Sequence, residues 1–90
     1  MKHYLRAEDE MILHYIVFEN AYNRVGGIQL WKDMELEKVG QGEGRTWRSL
    51  KSRFHGILIR AIGEGETYNL TAEQIALFFN GGQIEEGGEQ

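Results

Sequence analysis

From Trp47 onward the residues Trp47, Leu50, Phe54, Ile57 and Ala61 fall at steps of 3, 4, 3 and 4. That spacing follows the 3.6-residue turn of an α-helix, and a strand, with its period of two, cannot bury such a set on one face. Ile12, Leu13, Ile16 and Val17 repeat the pattern near the start of the chain. Proline is absent and the strand-like runs are too short to pair, so the chain reads as all-helical.

The boundaries follow from local chemistry. A first helix is expected over about residues 6 to 21, with Glu8, Asp9 and Glu10 in its first turn, where the helix macrodipole favours carboxylates. "NRVGG" breaks it. "IQLWKDMELEK" supplies a second helix with Leu30, Trp31 and Met34 on its apolar side, and "VGQGEG" is a loop. Thr46 caps a third helix spanning 46–62, which "GEGE" ends. Thr71 with Gln74 forms a capping box, Leu70 with Ile75 a hydrophobic staple, and Asn80-Gly81 closes a fourth helix whose apolar side is Ile75, Phe78 and Phe79. This divides the chain into a three-helix domain over 4–62, an appended helix over 63–81 that packs on it, and a flexible acidic, glycine-rich tail over 82–90.

Ninety residues suffice for one domain that buries about 60 to 65% of its unfolded surface. Cysteine is absent, and His3, His14 and His55 have no ligand spacing, so neither a metal nor a cofactor is expected. No Cys nucleophile, phosphate loop or triad-like His arrangement is present, which argues against an enzyme. There is no run approaching the ~20 apolar residues of a membrane span and no signal-peptide pattern, so a soluble intracellular domain with no membrane partner is expected.

Charge is unevenly placed. The net charge is −4, yet Arg45, Arg48, Lys51, Arg53 and Arg60 make half of the ten basic residues and share their stretch with no carboxylate. At 100° per residue, Trp47, Leu50, Phe54, Ile57 and Ala61 lie within about 80° of one another and face the core. Opposite them lie Arg48, Ser49, Ser52, His55, Gly56 and Ile59, with Lys51 on one flank and Arg53 and Arg60 on the other. A helix entering the DNA major groove needs such a surface, with short residues for close approach, reaching groups for base edges and flanking cations for phosphates.

Three segments together resemble a Myb/SANT-type domain. "YLRAEDEMILHYI" has Tyr4 at the first aromatic position and Glu8-Asp9 at the acidic pair; "LWKDME" carries Trp31; "TWRSLKSRFHGIL" carries the third helix with Phe54 at the third aromatic position. Taken in order, the three are similar to the Myb domain of the telomeric repressor-activator protein family over roughly residues 4 to 60. Leu5 stands where Ser or Thr often caps the first helix, and Ser52 stands where Asn is common. The resemblance implies a three-helix Myb/homeodomain-like (helix-turn-helix) bundle, here with an additional short C-terminal helix. It also implies base reading by the positions matching Arg48, Lys51, Ser52 and His55.

Two functions from different classes follow. The first is a nuclear double-stranded DNA-binding module, telomeric repeat being the expected target, in which Arg48, Lys51, Ser52 and His55 read bases and Arg45, Arg53 and Arg60 hold phosphates. The second is a Myb/SANT-like protein-interaction module for telomere-complex, chromatin or histone partners, or for homodimerisation. Its surface would be the acidic side of helix 1 (Glu8, Asp9, Glu10, Glu19) or an apolar hook of Leu70, Ile75, Phe78 and Phe79, unless that hook docks on the domain's own core.

Overall fold

The computed structural model describes residues 4–39 and 45–80; the expected tail over 82–90 and most of "VGQGEG" lie outside them. Helix α1 (Arg6–Phe18) starts without a side-chain cap from Leu5, whose backbone N–H instead donates to the Glu8 carboxylate at 2.9 Å. That is the half of a capping box that does not need a polar N-cap side chain. α1 stops earlier than its pattern predicts. Asn20 turns left-handed at φ 51°, and the N–H groups of Asn20 and Ala21 donate back to the carbonyls of Val17 and Ile16. This Schellman closure satisfies carbonyls that the helix would otherwise leave unpaired. A single 3₁₀ turn, Tyr22–Arg24, follows and buries Tyr22, a turn that the sequence pattern did not signal.

Helix α2 (Gln29–Leu36) buries Leu30, Trp31 and Met34 and closes the same way, with Lys38 left-handed at φ 58°. Helix α3 (Trp47–Arg53) is capped by Thr46, whose hydroxyl accepts from the Ser49 N–H at 3.2 Å. It continues through a π-turn (Phe54–Leu58) into α4 (Ile59–Gly63), making one helical rod over 47–63. Gly65 at φ 112° ends the rod in a third Schellman closure. Helix α5 (Ala72–Phe79) begins with the expected capping box: the Thr71 hydroxyl accepts from the Gln74 N–H at 3.1 Å, and the Gln74 side chain accepts from the Thr71 N–H at 2.9 Å.

The π-turn corrects the core assignment of the third helix. The Ile59 N–H bonds the Phe54 carbonyl, five residues back, so the turn takes one residue more than an α-turn. Every later side chain is thereby displaced by one position. Ile57, expected in the core, is 47% exposed, and Leu58 and Ile62 are buried in place of Ile57 and Ala61. Ile59, expected outside, is half-buried against the core. Trp47, also expected inside, is half-buried at the edge.

Aromatic rings tie the elements together. Trp31 of α2 packs on Phe54 (centroids 5.5 Å apart), Phe54 on Phe78 of α5 (6.0 Å), and Phe78 edge-on against Tyr22 (5.0 Å). Such pairs add to the stabilisation from buried area. The hook therefore lies largely on the domain's own core: Leu70 and Phe78 are buried and Ile75 half-buried, while Phe79 remains 54% exposed. The result is a helical bundle of the Myb/homeodomain-like type, with no strand among the described residues.

Candidate nucleic-acid interface

The two carboxylates expected on an exposed acidic surface of α1 are buried: Glu8 is 1% and Asp9 4% exposed. Each is held by an arginine through two hydrogen bonds. Arg45 donates to Glu8 at 2.9 and 2.7 Å, and Arg53 donates to Asp9 at 2.9 and 2.8 Å. Fork-to-fork pairing of this kind suits the planar guanidinium. These bonds hold both arginines' pKa values above the ordinary one. The Tyr4 ring centre lies 3.9 Å from Arg45 and 5.0 Å from Arg53, and its hydroxyl shares a 2.6 Å hydrogen bond with that of Ser49. Arg45 and Arg53, expected at phosphates, thus clamp α1 to α3 and the residues just before it. Ser49 is drawn into the same contact and off the outward face.

The remaining cations point elsewhere. Arg48, Lys51 and Arg60 make no ion pair among the described residues, and Arg48 and Arg60 are exposed. Trp47, Arg48, Lys51, Ser52 and His55 line one shallow depression of about 270 Å³. The structure therefore brings together all four expected base readers. The π-turn also rotates Arg60 toward them: counted with the one-residue displacement, it lies about 20° from the direction of Arg48 instead of about 120°.

One cation escaped the sequence reading. Lys32 of α2 lies 5.8 Å from the Trp47 ring centre, and Arg48 lies 5.1 Å from the same ring. Trp47 thus carries a cation from each of two helices, and Lys32 extends the basic surface from α3 onto α2. Helical phase gives Lys32 as exposed, but its neighbour across the bundle depends on tertiary packing.

His55 is held more firmly than an exposed reader would suggest. Its Nε2 donates to the Val25 carbonyl at 2.8 Å, and that carbonyl also accepts from the Trp31 indole at 3.0 Å. The ring stands edge-on to Phe54, with centroids 5.1 Å apart. The loop between α1 and α2 therefore sets the imidazole's orientation over the depression.

A second depression, about 410 Å³, is lined by Ala7, Glu10, Met11, His14 and Asn69. His14 bonds the Tyr68 carbonyl at 3.1 Å, and Asn69 donates to Glu10 at 3.0 Å, so this region straps the turn before α5 to α1. Among the described residues no cluster of His, Asp or Glu is placed to hold a metal ion, and no helix is long and apolar enough to cross a membrane.

Over 47 residues, 52% of its length, the chain is 45% identical to telomeric repeat-binding factor 2-interacting protein 1 of Xenopus tropicalis, of which it spans 8%. No protein-family model and no solved structure matches it.

Proposed function

We propose that this chain is a double-stranded DNA-binding, Myb-like module of a nuclear telomere or chromatin protein, and not an enzyme, with α3 laid in the major groove. The observation that carries this reading is the depression on which Arg48, Lys51, Ser52 and His55 converge, with no carboxylate paired to either cation among the described residues. Arg48 and Lys51 address base edges, guanine O6 and N7 being the best match for such donors. Lys32 and Arg60 take the phosphate role that Arg45 and Arg53 give up to the clamp. Partial identity to a telomeric repeat-binding factor 2-interacting protein supports the telomeric setting.

The test is fluorescence anisotropy of a telomeric-repeat duplex and a scrambled duplex at low and physiological salt. Preferential binding to the repeat is expected, with log K falling against log salt at a slope of roughly −2 for the two phosphate contacts of Lys32 and Arg60. Arg48→Ala and Lys51→Ala should each weaken binding at least about tenfold. An affinity unchanged by both substitutions would sink the reading.

A second reading has its own observation. With Arg45 and Arg53 neutralised inside the fold, the basic surface is small on a chain of net charge −4, which favours a protein partner from the telomere complex or chromatin. Failure of both duplexes to bind at low salt selects this alternative.

A further inference from the structure

The Val25 carbonyl has no proton to give, so the His55 nitrogen 2.8 Å away must supply the one between them. The neutral ring therefore carries its proton on Nε2, and Nδ1 is left as a lone-pair acceptor. No second bond to His55 exists among the described residues, and the ring lines the depression with Arg48, Lys51 and Ser52. Arg48 and Lys51 are pure donors, and His55, which lines the same depression, is the ring whose Nδ1 is a committed acceptor.

In the major groove this difference has a defined meaning. Guanine offers acceptors at N7 and O6, and thymine offers an acceptor at O4. Hydrogen-bond donors come from the exocyclic amino groups, N6 of adenine and N4 of cytosine. We propose that His55 reads an exocyclic amino group, on adenine or cytosine, through Nδ1 as acceptor, so that α3 specifies an amino-bearing base next to those addressed by Arg48 and Lys51. The inference rests on the DNA-binding reading above and gives it a base preference. Held on one side by Val25 and against Phe54 on another, the imidazole cannot exchange the roles of its two nitrogens without losing a bond.

Three measurements on the 90-residue chain test it. Nitrogen-15 NMR of the imidazoles at alkaline pH should show the neutral His55 ring as the Nε2–H tautomer; the Nδ1–H tautomer would overturn the proposal without any DNA being present. Selection from a randomised duplex library should then give a site with one position fixed as adenine or cytosine that His55→Ala releases. Removing that amino group from the duplex, by replacing adenine with purine or cytosine with 2-pyrimidinone, should weaken wild-type binding by about five- to tenfold and leave His55→Ala binding unchanged. The base-analogue arm does not depend on how His55→Ala folds. If the wild type binds but the deaminated duplex is bound equally well, His55 is not a reader and the DNA-binding reading stands. If the wild type selects no duplex, both fall.

Discussion

Glu8 and Asp9 show how much a single pair of side chains carries in a bundle this small. A carboxylate buried to this degree is tolerated only with a partner, and removing one member leaves the other charge uncompensated. Asp9→Asn should therefore destabilise the domain by about 3 kcal/mol, measured by urea denaturation. Arg53→Ala should cost a comparable amount, and the double variant much less than the sum of the two. The acidic pair was legible in the sequence and its burial was not: helical phase placed Glu8 and Asp9 at the start of α1, but only packing puts Arg45 and Arg53 against them. Tyrosines make the second case. Burial raises the Tyr15, Tyr22 and Tyr68 phenols above 10.0, so the folded state keeps protons that the unfolded chain releases. Stability from these groups is complete below pH 10.0 and declines as pH rises past it, which thermal melts between pH 8 and 11 should record as a falling midpoint above that value.

At the scale of elements, starts were easier to read than stops. Thr46 and Thr71 cap where their sequence says they should, because an N-cap is a local bond between a hydroxyl and a backbone three residues on. Thr71→Ala should cost about 1 kcal/mol and loosen α5 first, visible as faster amide exchange at Glu73 and Gln74. The closures at Asn20 and Lys38 were missed because neither is glycine. Lys38 occupies a left-handed conformation that a side chain with Cβ disfavours. Lys38→Gly should accordingly stabilise the domain by up to about 1 kcal/mol, read from the denaturation midpoint. The π-turn was invisible for a different reason. An apolar step of 3, 4, 3 and 4 and the buried series Leu50, Phe54, Leu58, Ile62 both satisfy a helical wheel, so the wheel alone does not choose between them.

For the molecule as a whole, α5 completes the core. Phe78 closes the aromatic series from Trp31 through Phe54 to Tyr22, and its removal would free Leu70 and Ile75 from their docking site. Phe78→Ala should cost about 3 kcal/mol and turn a monomer into a species whose mass rises with concentration in light scattering. The wild type should stay monomeric under the same conditions. The helical class and the four side chains that line the depression beside Trp47 were readable from period and charge alone; the loss of Arg45 and Arg53 from that surface, and the gain of Lys32, came from the way three helices meet.

The π-turn also bears on how this chain is lined up with other three-helix domains. Against a three-helix domain whose last helix is regular throughout, positions correspond one to one as far as Phe54 and are out of step by one from Leu58 onward. Arg48, Lys51 and Ser52 precede the slip and keep the positions they would have on a regular helix. Arg60 follows it, so its true counterpart is the residue one column earlier, and a gapless alignment would pair the wrong side chains along the whole of α4.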